Sequence, residues 1–252
     1  MARRVSLFEH LLRKILFKKD YVKVDGSLIA LPDRRWCGPD FKNDQYYLQS
    51  TENEVKRLID NLSCSKSSRI LDVGCGQGRL AVGLTRVLKE VIYHGIDVDK
   101  DSVMWCQKYI SKHYTNMEFS HLNVYNERYN KEGVIFNNDF LFELQENSFD
   151  IAYLYSVFSH MTEEDMRIYL QDLKRVLTNK GKIFFTTYVE EDVTNYEVNP
   201  KDYHVYSETP LHVVRYRKEY LLSILDECGY KLLNFTYATE SLGQSAIYIE
   251  KK

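Results

Sequence analysis

Three glycines at alternate positions, Gly74, Gly76 and Gly78, follow an apolar run ending at Val73 and precede an amphipathic one carrying Leu80, Leu84, Val87 and Leu88. A strand-to-helix turn of this composition lets a ligand approach bare backbone, and the free N–H groups of the following helix make a weakly positive pocket. Spacing separates the ligands that such turns hold. The dinucleotide fingerprint G-x-G-x-x-G needs its third glycine where this chain carries Arg79. The phosphate-cradling G-x-x-x-x-G-K-[ST] pattern also fails, because no Lys-Ser/Thr pair follows Arg79. Two further residues could do chemistry: Asp97, which closes the next strand-like run, and His160, which falls between an apolar run and a helix start.

The block Asp72-Val73-Gly74-Cys75-Gly76-Gln77-Gly78 resembles the first motif of the class I S-adenosylmethionine-dependent methyltransferases. The resemblance implies that Asp72, Gly74, Cys75, Gly76 and Gly78 seat the methionine end of the cofactor, with S-adenosyl-L-homocysteine as product. It implies that Asp97 accepts hydrogen bonds from both ribose hydroxyls and that Val98 lies against adenine. Asn123 stands where the family commonly carries an acid for the adenine amino group, and an Asn oxygen still accepts there. Val124 or Tyr125 completes the adenine pocket, and Ser156 ends the fourth strand beside the cofactor. SVFSHM (156–161) and NVYNERYN (123–130) are similar to a subgroup of stand-alone bacterial methyltransferases associated with glycan and natural-product pathways. Taken with the first motif, the resemblance spans roughly residues 69–190.

Tyr155-Ser156-Val157-Phe158 lacks the prolines of nucleobase amino-methyltransferases, and Thr186-Thr187-Tyr188 lacks the acids of metal-dependent catechol enzymes, so no metal is expected. Methyl transfer from a sulfonium is largely a matter of alignment and water exclusion, but an alcohol acceptor must also lose its proton. Histidine suits that task, which makes His160 the candidate general base of an O-methyltransferase. The alternative is a structural histidine bonded to the turn backbone. The acceptor expected is a sugar, glycan or similar small molecule; an N-acceptor, a non-catalytic cofactor-binding subunit and an NAD-type oxidoreductase are the rival readings.

These residues need a frame. Alternating strand and helix patterns predict an α/β, Rossmann-like sheet of seven mostly parallel strands, with helices on both faces and a C-terminal antiparallel hairpin (YKLLNFTYA, SAIYIEK). Thr51 and Glu54 read as a capping box opening a helix before the first strand. Thr162 reads as the cap of a helix starting at Glu163, with Met161 and Met166 as its staple. Residues 51–252 are read as the methyltransferase core, with acceptor-side insertions at about 125–148 and 190–216. The second insertion carries Tyr196, Tyr203, His204, Tyr206, His212 and Tyr216, and the flat faces and hydroxyls of its tyrosines suit polyhydroxylated rings.

Residues 1–50 are read as an N-terminal helical arm that caps the site. Val5, Phe8, Leu12 and Ile15 recur at helical spacing, and six basic against two acidic residues in the first twenty give a net +4. Weak contact with a membrane surface or an acidic partner is the other reading of that helix. Over the whole chain, 34 basic and 36 acidic residues leave no nucleic-acid footprint. Five cysteines without a C-x-x-C pair, and no apolar run of about 18 residues, predict a reduced cytoplasmic protein.

Overall fold

The computed structural model describes residues 19–252, with positions 36, 37, 136 and 138 excepted. The amphipathic run from Val5 to Ile15 therefore lies outside the described residues, as do Trp36 and Cys37. What precedes the core is not wholly helical: β1 (Tyr21–Val24) and β2 (Ser27–Ala30) pair antiparallel as a separate hairpin around Asp25-Gly26. An Asp-Gly pair, whose residues here both have positive φ, is a strong short-range hairpin signal.

Helix α1 (Asp44–Leu62) starts seven residues before the expected Thr51 cap. Asn43 is the true cap, its side chain accepting from the Tyr46 N–H at 2.9 Å. Thr51 lies mid-helix and bonds back to the Leu48 carbonyl, while Glu54 is buried under the sheet edge rather than closing a capping box.

β3 (Arg69–Val73), α2 (Arg79–Val87), β4 (Ile92–Asp97), α3 (Lys100–Cys106), β5 (Met117–His121), β6 (Phe149–Leu154), α4 (Glu163–Val176) and β7 (Leu177–Glu190) follow, alternating except between β5 and β6, which no helix separates among the described residues. The chain finishes with β8 (Tyr196–Val198), β9 (Val214–Arg217), α5 (Lys218–Glu227), β10 (Tyr230–Thr236) and β11 (Ser245–Lys251). The main sheet runs β10-β11-β7-β6-β3-β4-β5, seven strands with the predicted antiparallel hairpin at one end. β8 and β9 add two strands from the 190–216 insertion, β9 lying parallel to the far end of β7.

Alternation along the strands divides the core. Ile70, Ile151 and Phe184 face α1, α2 and α3, whereas Leu71, Ala152 and Phe185 face α4 and α5. The chain winds outward from β3 to β4 and β5, then returns to β6 on β3's other side. That reversal opens a crevice beyond the carboxyl ends of the strands, where open α/β sheets bind ligands.

Candidate active site

At the end of β3 the chain turns through Gly74, Gly76 and Gly78, all at positive φ. The Gly74 and Cys75 N–H groups donate to the Ile96 carbonyl at 2.8 and 3.1 Å, which pins the loop to the end of β4. A Cβ on Gly74 would lie 2.6 Å from Val157 Cγ2, so only glycine lets the loop pass the end of β6. A Cβ on Gly76 would meet nothing within 4 Å, because that face of the loop opens on the cavity.

Asp97 ties the loop to the next turn. Its Oδ2 accepts from the Gly76 N–H at 2.6 Å and its Oδ1 from the Asp99 N–H at 2.8 Å. Burial outweighs these two donors and pushes its carboxyl up to about 6. Asp72, 2% exposed, accepts from the Tyr93 hydroxyl at 2.6 Å; burial raises it to about 7 against the pull of that bond and of the Arg79 charge. Arg79 lies 4.2 Å over the Tyr155 ring and pairs with Glu54 at 3.4 Å. Glu54 also accepts from the Tyr153 hydroxyl at 2.6 Å.

A cavity of about 330 Å³ runs from this loop to His160. Asp72, Gly74, Cys75, Gly76, Asp97, Val98, Val124, Ser156 and His160 all line it. Gly78 is the cap of α2, packed against Ile110 and Cys106, and does not face the cavity. Asn123 is absent from the wall as well. β5 ends at His121, and Asn123 is exposed, its Oδ1 facing Asn130 Nδ2 at 3.4 Å. Leu122 and Val124 instead present the apolar surface beside Val98. Among the described residues, no group of three His, Cys, Asp or Glu side chains could hold a metal ion.

His160 occupies a single 3-10 turn, Phe158–His160, just before α4, whose cap is Thr162 as predicted (Asp165 N–H to Thr162 Oγ1, 3.2 Å). Its Nδ1 lies 3.0 Å from the Leu211 carbonyl oxygen, so Nδ1 carries the proton and donates. Nε2 is thereby left as the acceptor nitrogen, with the Ser156 hydroxyl as its donor at 3.3 Å. Burial, with the Arg128 guanidinium and His212 opposing a further charge, pulls the imidazole down to about 4. Ser156, at φ +58°, is held by Gln244 Nε2 (2.8 Å) and by its own N–H to Thr186 Oγ1 (2.8 Å).

A methyltransferase-domain family profile matches residues 71–183, from within β3 into β7, and so takes in the glycine loop, Asp97 and His160 together. The chain is 26% identical over 198 residues to the O-methyltransferase rstn1 of Aspergillus nomiae, covering 78% of this chain and 79% of that protein. It is also 26% identical over 204 residues to the O-methyltransferase resE of Aspergillus sclerotiorum, covering 81% and 70%. A solved S-adenosylmethionine-dependent methyltransferase of Aquifex aeolicus shares the fold with a TM-score of 0.57 at 17% identity, over 86% of this chain and 95% of that one. Together these matches support a class I S-adenosylmethionine-dependent methyltransferase.

Several parts of this methyltransferase's site were not legible as such. Gln77 lines the cavity, and its buried Oε1 has no hydrogen-bond partner among the described residues, an acceptor that the amino group of a bound amino-acid moiety would satisfy. The only sequence signal was its place inside the glycine block. The tyrosines of the 190–216 insertion are mostly structural: Tyr203 and Tyr216 are buried and Tyr196 packs against Tyr216. From that insertion His212 reaches the cavity, while the tyrosines on its wall come from other elements, among them Tyr47, Tyr129, Tyr155 and Tyr188. Of the N-terminal arginines, Arg35 is a structural tie, donating to the Ala30 and Phe41 carbonyls and pairing with Asp44 at 2.6 Å, while Arg34 lines the cavity.

Proposed function

We propose that this methyltransferase O-methylates a hydroxyl on a small ring-bearing molecule, a sugar or similar compound, with His160 as general base. The unprotonated Nε2 of a neutral His160 on the cavity wall, with Ser156 Oγ at 3.3 Å, carries the reading. S-adenosylmethionine, when bound, supplies a methyl group activated on a sulfonium. His160 Nε2 would take the acceptor's hydroxyl proton as that oxygen takes up the methyl group and the C–S electron pair stays with sulfur. Positive charge therefore moves from sulfur to imidazole, and the cavity's total charge is unchanged. Because His160 holds a proton weakly, it sheds it to solvent once product leaves. Ser156, fixed by Gln244 and Thr186, keeps the imidazole edge in place.

Asp72, Gly74, Cys75 and Gly76 are assigned to the methionine end of the cofactor, Asp97 to its ribose, and Val98 and Val124 to adenine, while Gly78 acts only by shaping the loop as the cap of α2. Asn123 is left with no direct part in this reading. Residues 1–50 serve as a cap and 51–252 as the catalytic core; Arg34 and Gly38 on the cavity wall support the cap. The four described cysteines are buried free thiols, in keeping with a reducing, cytoplasmic setting. The test is turnover of a panel of sugars, phenols and hydroxy acids by the native chain and by His160→Gln and His160→Ala. A loss of about 10²–10⁴-fold in kcat with unchanged S-adenosylhomocysteine affinity is expected. Retained turnover would make His160 structural.

A further inference from the structure

Arg128 lines the cavity beside His160 and has no carboxylate partner among the described residues. The two buried arginines on that wall are neutralised, Arg35 by Asp44 at 2.6 Å and Arg79 by Glu54 at 3.4 Å. Arg128 instead donates through Nη1 to His212 Nδ1 at 2.7 Å and stacks 5.3 Å over the Tyr129 ring. An arginine can only donate, so His212 accepts with a lone pair, is neutral, and leaves the guanidinium charge whole. The same cluster encloses the candidate base, with the Tyr129 and His212 rings 6.2 and 6.3 Å from that of His160. Arg128 and His212 come from the two insertions, so two separate segments of chain converge to hold one half-buried cation at the cavity wall.

A cation withdrawn from water is costly unless an anion meets it. We propose that the acceptor is a hydroxycarboxylic acid whose carboxylate pairs with Arg128 while its hydroxyl meets His160. With Nη1 committed to His212, Nε and Nη2 remain as the adjacent donors of one guanidinium edge, the pair that matches a planar carboxylate. A bound carboxylate also offsets the charge that Arg128 sets against the imidazolium formed during transfer, so it favours reaction as well as binding. This proposal rests on the reading of the His160 end as the acceptor site, and it names the class of molecule that site selects.

The test needs no turnover. The protein saturated with S-adenosylhomocysteine is titrated with 4-hydroxybenzoate and with 4-hydroxybenzamide, and with galacturonate and galactose, by ligand-observed NMR. In each pair the acid is expected to bind at least about tenfold tighter than its neutral analogue. Arg128→Gln should abolish that preference with S-adenosylhomocysteine affinity unchanged, and Arg128→Lys should keep part of it. The proposal is overturned if neither acid is preferred, if Arg128→Gln keeps the preference or weakens the cofactor product equally, or if Arg34→Gln removes it instead. Turnover of His160→Gln is a separate measurement, so the base and the anion site can fail independently.

Discussion

The Nδ1 of His160 lies 3.0 Å from the carbonyl oxygen of Leu211, a residue 51 positions away that is itself at φ +49°. One hydrogen bond therefore fixes the tautomer of the candidate base and anchors the 190–216 insertion over the cavity. It also sets which nitrogen remains free to take a proton.

Because His160 is held neutral down to about pH 4, its charging should not limit turnover anywhere between pH 5 and 8. At saturating cofactor the acid limb is expected to reach half-loss near pH 4. The stability consequence has a definite sign: the folded pKa lies below the unfolded one, so the unfolded chain takes up the proton first as pH falls from about 6.5 to 4. The native protein loses stability across that window, and His160→Gln should lose less. Parallel thermal melts at pH 7 and pH 5 check this; equal acid sensitivity in the two proteins would contradict it.

Asp97 titrates with the opposite sense. Its folded pKa, about 6, is raised above the usual carboxylate value, so the free protein is protonated there before the unfolded chain is. An acid that accepts two ribose hydroxyls must be ionised, and below pH 6 binding has to expel that proton. S-adenosylhomocysteine affinity should therefore fall as pH drops from 6 to 5, approaching tenfold per unit. Calorimetry at pH 5, 6, 7 and 8 reads this directly. An affinity that stays constant from pH 6 to 5 removes Asp97 from the ribose.

The glycine loop separates fold from binding. Gly74→Ala puts a methyl 2.6 Å from Val157 Cγ2 in a left-handed conformation, and should lower both stability and cofactor binding. Gly76→Ala meets no atom within 4 Å. It should cost only the left-handed strain, about 1–2 kcal/mol, yet weaken S-adenosylhomocysteine more than tenfold because its methyl faces the cavity. Melting temperature and affinity measured on both variants must diverge in this way; if Gly76→Ala binds normally, the cofactor does not approach that face.

The features legible in the sequence share one property: they are local. Gly74 to Gly78, Thr162 with Asp165, and the alternation in β6 and β7 each declare themselves within a few residues, because the backbone or a short hydrogen bond enforces them. Asn123 shows where local reading stops. The resemblance placed it at a strand end beside the adenine amino group, but β5 closes at His121 and the chain turns away, leaving Asn123 exposed. The tyrosines of 190–216 were read by type, whereas burial by β8 and β9 decides their role. His212 reaches Arg128 across 84 residues, and no spacing rule foretells such a contact.

Glu54 is the strongest case of a residue whose meaning comes from distant partners. Read locally it closed a capping box with Thr51; in the fold it is 4% exposed and serves Tyr153, Arg57 and Arg79 at once. Those partners hold the floor beneath the glycine loop, since Arg79 opens α2 and stacks on Tyr155 at the cavity wall. Replacing Glu54 by Gln keeps the shape but removes the carboxylate that the buried Arg79 shares with Arg57, which itself keeps Glu240 at 2.9 Å. Breaking a buried pair in this way costs on the order of 3 kcal/mol. If Glu54 were only a helix-capping side chain, the loss would be within about 1 kcal/mol and cofactor affinity would not change. Urea unfolding of Glu54→Gln, followed by S-adenosylhomocysteine titration of the folded fraction, decides between the two: a large loss of stability with weakened binding is expected, because a displaced Arg79 shifts the first turn of α2 against the loop.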